Sequence, residues 1–219
     1  MLKVVGLKVP IERDPYGEGK IFKKKSVELE PGITVLVGCN GCGKTTFLKI
    51  VKEFCEENKI PYLSYDNMRD GHSHARNSAF ARYDYSMGAT LMFSSEGEQI
   101  VACLSRHAAA IGQYMKQHQK TKQLVLLFDA VDSGFSIDNV LDLKEYLFNA
   151  IMRMNPETKI YILVSANAYE MASGERCLDV ASGTYRVFKT YDSFKKFILK
   201  SKDRKVERDN KNFGEENEK

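Results

Sequence analysis

The clearest chemistry in the chain lies in one run, Gly38-Cys39-Asn40-Gly41-Cys42-Gly43-Lys44-Thr45-Thr46. It fills the pattern G-x-x-x-x-G-K-[ST] completely, the spacing of a loop that cradles phosphates. Glycines let such a backbone turn tightly and aim its N–H groups at anionic oxygens. A helix leaving the loop adds partial positive charge where the anion sits. In this arrangement Asn40, Gly41, Cys42 and Gly43 line the ligand and Lys44 reaches the β- and γ-phosphates. The Thr45 hydroxyl joins a Mg2+ shell, and Thr46 adds a hydroxyl near the α-phosphate. The expected ligand is ATP with Mg2+.

A second candidate stands at Asp129, which ends the apolar run Leu124-Val125-Leu126-Leu127-Phe128. A carboxylate at the carboxyl edge of a buried parallel strand is placed to hold Mg2+ beside a phosphate loop. Other reactive residues carry weaker signals. Cys39 and Cys42 spell C-x-x-C, but no second such pair completes a metal site, and coincidence is the favoured reading. His72 and His74 lack further ligands at suitable spacing and read as surface residues. Arg69, Arg76 and Arg82 lie near Tyr83 and Tyr85; the combination suits nucleic acid, yet a solvated lobe or partner surface is the favoured reading. Lys20, Lys23, Lys24 and Lys25 read as lysines guarding an exposed strand edge.

These residues need elements to position them. Leu2–Val9 and Ser26–Leu29 read as early strands, and Pro31-Gly32 ends the second of them. Ile33–Val37 is a short β-branched run of the kind buried in a parallel sheet. Thr45–Glu57 reads as a helix with Phe47, Leu48, Ile50, Val51 and Phe54 inward. Ile60–Tyr65 is a further strand, and Glu96–Gln119 the longest helical pattern. Asn139–Met154 is a helix ending before Asn155-Pro156, and Lys159–Val164 a buried strand. Cys177–Val180 and Thr184–Phe188 form a hairpin around Ser182-Gly183, and Tyr191–Lys200 a last helix. The order predicts an α/β fold with a largely parallel central sheet, an antiparallel N-terminal part and a small helical lobe.

Composition bounds the function. At 219 residues the chain suits one domain, expected over residues 1–200 with the small lobe at about 66–119. Residues 201–219 are rich in charge and poor in apolar groups, and are expected to be a disordered tail. The net charge of +4 is too small to argue nucleic-acid binding alone. The five cysteines, Cys39, Cys42, Cys55, Cys103 and Cys177, are odd in number and scattered, so reduced thiols and a cytoplasmic setting are expected. Lys3 interrupts the early apolar stretch, so no secretory leader is expected. No stretch approaches the ~18 apolar residues of a membrane span.

The loop, the Asp129 strand and their surroundings resemble the ATP-binding cassette (ABC) ATPases, in a compact form similar to DNA-repair or phage-encoded members rather than to transporters. Gly38–Thr46 looks like that family's G-x-N-G-x-G-K-[ST]-T. Ser94-Ser95-Glu96-Gly97-Glu98-Gln99 is similar to the signature L-S-G-G-Q, and Ser133-Gly134 followed by Asp138 resembles the loop that meets a partner subunit. Tyr16 sits where the family keeps an aromatic residue that stacks on adenine. The resemblance covers Tyr16 to about Asn167. It implies a homodimer closing around two ATP molecules, with Ser95 and Gly97 of each copy meeting the other copy's nucleotide.

Three positions depart from that pattern. Ala130 follows Asp129 where the family places a Glu that polarises water, so either Asp132 substitutes or turnover is slow. Ala166, with Asn167 beside it, falls where the family has a switch His; Asn167 can bond a γ-phosphate but cannot shuttle protons. The family's glutamine loop after Lys44 is not obvious; Asp66 or Asn67 is the best candidate for it, and turn formation is an equal reading of both. The function expected is an ATP-hydrolysing cassette protein coupled to a macromolecular partner, DNA among the candidates. The alternatives are the motor subunit of a transporter, docked on a separate membrane protein, and an ATP-sensing switch with little hydrolysis. Lys44, Asp129, Asp132 and Asn167 are the residues expected to carry catalysis.

Overall fold

Alternation within the apolar runs dictates a sheet covered on both faces. In the run Leu124–Phe128 successive side chains point to opposite sides, as the strand period of two requires. The computed structural model describes residues 6–12, 21–67, 108–116 and 122–214, with side chains described as far as residue 210.

Among the described residues the strands are β1 (Leu7–Pro10), β2 (Ser26–Leu29), β3 (Gly32–Val37), β4 (Tyr62–Asp66), β5 (Gln123–Asp129), β6 (Lys159–Ser165), β7 (Arg176–Asp179) and β8 (Thr184–Arg186). β1 and β2 make a small antiparallel sheet. The central sheet has the order β4-β5-β6-β3-β7-β8. It is parallel from β4 to β7, and the hairpin to β8 is antiparallel. The α/β expectation with an antiparallel N-terminal part is therefore met. Helices are α1 (Lys44–Glu57); α2, which joins Ile137–Asp142, a π-helical stretch Leu143–Asn149 and Ala150–Met154; α3 (Tyr169–Ala172); and α4 (Tyr191–Gly214). Residues 108–116 are helical and fall within the long helix expected before β5.

The two faces carry separate cores. On one, Leu36, Val125, Leu127 and Leu163 pack with Phe47, Ile50 and Val51 of α1 and with Val9, Val27 and Leu29 of the small sheet. On the other, Val35, Val37, Leu124, Leu126, Phe128 and Ile162 pack with Phe148 of α2 and Phe194 and Phe197 of α4. Burying each large side chain stabilises the fold by about 1.5–3 kcal/mol. α1 is thus clamped to the sheet by its apolar stripe, which fixes the direction of its N-terminus.

The expectation of disorder from Ser201 onward is corrected. α4 runs unbroken from Tyr191 to Gly214; residues 215–219 lie outside the described residues. Charges expected to be solvated make tertiary contacts instead. Arg204 Nη1 donates to Asp179 Oδ2 at 3.0 Å, and its guanidinium lies 5.6 Å from the centre of the Phe197 ring. Of the lysine run, Lys20 lies outside the described residues and Lys23, Lys24 and Lys25 are exposed; Lys24 Nζ also donates to the Gly183 carbonyl at 2.7 Å, tying the approach to β2 onto the β7–β8 turn.

Candidate phosphate-binding site

β3 delivers the chain to the carboxyl edge of the sheet, and α1 leaves in the opposite sense, so residues 38–43 must reverse direction tightly. Gly43, the residue before α1, has a φ of 108°, in the left-handed region that side-chain-bearing residues avoid. A Cβ there would also come within 2.7 Å of Ile21 Cγ2. No side chain caps α1 and no acidic residue occupies its first turn. The first amides of the helix are therefore left for an incoming anion.

Lys44 is buried and turned back over the loop. Its Nζ donates to the Gly38 carbonyl at 2.9 Å and to the Cys39 carbonyl at 3.4 Å. The ammonium is thus held inside the curve that the glycines describe. Thr45 is exposed and Thr46 buried, while Asn40 and Gly41 are exposed at the tip. Loop amides, one fixed cation and two hydroxyls are gathered around a space that suits a polyphosphate.

β6 lies between β3 and β5, and the register sets the strand ends level. Leu36 pairs with Ser165 and Phe128 with Val164, so Asp129 is level with Ser165. At the spacing of neighbouring strands, Asp129 stands roughly 10 Å across the sheet from the loop. Ser165 Oγ donates to Asp129 Oδ1 at 2.5 Å and accepts from the Ala130 N–H at 3.2 Å. Ser165 therefore aims the Asp129 carboxylate, with its second oxygen the one a cation would meet. Thr45 and Asp129 fit Mg2+, a hard ion that takes one or two protein oxygens and completes its shell with phosphates and water. Asp66 of β4 pairs with Asp129 at the same edge. Asn67 is fully buried, accepting from Tyr65 Oη and donating to the Ser133 carbonyl at 3.1 Å. Of the two candidates for the glutamine, Asp66 is the one at the edge.

Where water would be activated, the bonding is of another kind. Ala130 has a φ of 51° and no functional side chain. Asp132 Oδ2 accepts from the backbone N–H groups of Asn167 and Ala168, both at 2.6 Å. Its Oδ1 is buried with no hydrogen-bond partner among the described residues. The carboxylate ties the turn after β5 to the turn after β6. The Asn167 residue is exposed and Ala166 is buried. Lys44, Thr45, Asp129, Asp132 and Asn167 are thus gathered along one sheet edge. Tyr16, Ser95 and Gly97 lie outside the described residues, as do His72, His74 and the arginine–tyrosine group.

The cysteines of the loop are free thiols. Burial pushes the Cys42 thiol up to about 11, partly opposed by the Lys44 charge, which makes it a poor nucleophile. Among the described residues no group of three or more His, Cys, Asp or Glu could hold a metal ion.

Sequence reasoning missed Ser165 as a positioning residue. Its signal is a small hydroxyl residue directly after an apolar strand, and its meaning depends on β6 lying between the other two strands. It also missed Ser201 of α4, whose Oγ accepts from the Cys39 N–H of the loop at 3.1 Å.

A family model described as an AAA domain matches residues 20–219. No curated protein matches the chain.

Proposed function

The chain belongs to the AAA domain family of P-loop ATPases, and from that premise we propose that it is a slow, Mg2+-dependent ATPase of the cassette type, closing as a homodimer around two ATP molecules. What carries this reading is the preformed cradle: Lys44 Nζ held over the Gly38 and Cys39 carbonyls at the start of an uncapped helix. Asn40 to Thr46 bind the triphosphate. Thr45 and Asp129 would hold Mg2+, which neutralises phosphate charge when bound. Tyr16 would meet the adenine, and Ser95 and Gly97 would close over the nucleotide of the second copy.

Slow turnover is expected from Ala130, which cannot orient water, and from Asp132, whose carboxylate is already engaged with two backbone amides. Asn167 would bond the γ-phosphate without moving a proton. The same two observations favour a second reading, an ATP-sensing switch that binds and dimerises but scarcely hydrolyses. A macromolecular partner, DNA or a separate protein, would then read the dimer. No helix among the described residues is long and apolar enough to cross a membrane; a motor role in a transporter would need a separate membrane chain.

Calorimetric titration with ATP, with and without Mg2+, tests the core of the proposal. The protein binds Mg-ATP, and Lys44→Ala weakens binding by about 100-fold, as expected for loss of a charge-assisted contact. Equal affinity in the variant would overturn the reading. Gel filtration with ATP tests the dimer, which Ser95→Arg abolishes. Phosphate release measured with and without DNA separates a DNA-coupled ATPase from a silent switch.

A further inference from the structure

The loop has an inner face that meets phosphates and an outer flank that α4 covers. Three contacts fix α4 there. Ser201 Oγ accepts from the Cys39 N–H at 3.1 Å. Arg208 Nη2 donates to the Gly41 carbonyl at 3.3 Å. Lys205 lies over Gly41, where an added Cβ would come within 2.8 Å of its Nζ. Arg204, held by the fully buried Asp179, anchors the helix to the end of β7 beside the loop.

Between this helix and the loop lies a cavity of about 410 Å³, within the ~300–1,000 Å³ range of small-molecule sites. Phe22, Cys42 and Ala181 give it an apolar side, and Arg204, Lys205 and Arg208 a cationic one. Lys23 adds a further positive charge, and Glu207 is the one carboxylate among its described lining residues. The charges are unequally committed. Arg204 is paired with Asp179 at 3.0 Å and Arg208 with Asp209 at 2.8 Å, whereas Lys205 stands 3.9 Å from Asp209. Of the three α4 cations, Lys205 is the one with the weakest existing partner.

A triphosphate seated on the loop amides must leave the cradle through one flank to reach its sugar and base. The cavity shares Cys42 with the loop, and offers apolar wall and cation together. We propose that α4 completes the nucleotide site: the cavity receives the nucleoside end of the bound triphosphate, with Lys205 as the helix's direct contact to it. The inference rests on the nucleotide-binding reading above and adds a part of the site contributed by the segment after residue 200. It also gives the loop contacts of α4 a consequence, since binding at the cavity stabilises the helix against the loop.

Inorganic tripolyphosphate separates the two claims, because it carries the phosphates without the nucleoside. The full chain is titrated with Mg-ATP and with Mg-tripolyphosphate. Ala181→Leu, which fills the cavity from its apolar side, is expected to weaken ATP about tenfold and leave tripolyphosphate unchanged. Lys205→Ala weakens ATP by about tenfold or more, the loss of one hydrogen bond to a charged group, and Lys205→Arg restores it. Unchanged tripolyphosphate binding shows that the loop in each variant is intact. ATP affinity unaltered in both Ala181→Leu and Lys205→Ala overturns the inference, and tighter ATP binding overturns it too, because α4 would then be a strap shutting the loop. If the unmodified protein binds neither ligand, the nucleotide reading itself fails.

Discussion

Two stretches of the same sheet edge are equipped differently. At the end of β3 the loop brings together glycine turns, uncapped helix amides and an ammonium bonded to two loop carbonyls. At the ends of β5 and β6, the groups that would activate water are missing or engaged elsewhere. Ala130 has no functional atoms, and Asp132 holds two backbone amides. Between them stands Asp129, whose Oδ1 accepts from Ser165 Oγ. Holding a triphosphate and cleaving it make separate demands. Binding uses fixed dipoles and one charge, whereas cleavage needs a base with a free lone pair near water.

The comparison is sharpened most by supplying what the second stretch lacks. Ala130→Glu is expected to raise the rate of phosphate release about 100-fold, the lower end of what a positioned base contributes. The left-handed φ of 51° is one that Ala130 already adopts, and since its cost comes from the Cβ that both residues carry, the substitution adds little backbone strain. ATP affinity should change little. An unchanged rate with affinity intact would mean that water is already activated from elsewhere, and the contrast between the two stretches would break. Asp132→Ala asks whether that source is Asp132. Two N–H groups lose their acceptor, so stability falls by about 2 kcal/mol, a drop in melting temperature of roughly 4–8 °C for a chain of this size. Loss of turnover without loss of stability would instead make Asp132 the base.

Ser165→Ala tests the boundary between the two stretches. It frees Asp129 Oδ1 and leaves the Ala130 amide without its acceptor. The affinity of ATP in the presence of Mg2+ should fall about tenfold, as removal of a group orienting a metal ligand commonly does. Affinity in chelator should stay as it was. Equal losses with and without Mg2+ would mean that Ser165 supports the loop rather than the cation.

The contiguous parts of the molecule are legible in the sequence and the assembled parts are not. β3, the loop and α1 form one unbroken run, and their residues meet because they are neighbours in the chain; the helix expected from Thr45 starts one residue earlier, at Lys44. Ser165 acquires its role only because β6 is inserted between β3 and β5, which no local pattern states. Past Lys200 the course of α4 is hidden because composition counts charges without their partners. Arg204 meets a buried carboxylate, and Ser201 meets a loop amide. The first half of the helix, with Phe194 and Phe197 in the core, carries its second half over the loop.

Cys42 gives the contrast its smallest test, in which the expected effect is almost nothing. It lies within the binding stretch beside Lys44, whose charge favours a thiolate. Burial works against that and wins, holding the thiol at about 11. A raised thiol pKa means that the protonated form dominates below that pH, and at pH 8 only about one molecule in a thousand carries a thiolate. Brief treatment of the native protein with iodoacetamide at pH 8 should leave Cys42 unmodified by mass spectrometry and ATP affinity unchanged. The same treatment after unfolding in urea should label it. Rapid native labelling with loss of ATP binding would show that the loop opens far enough to expose its interior. The cradle would then be assembled by the nucleotide instead of waiting for it, and the difference between a preorganised stretch and an unequipped one would shrink to a difference in side chains alone.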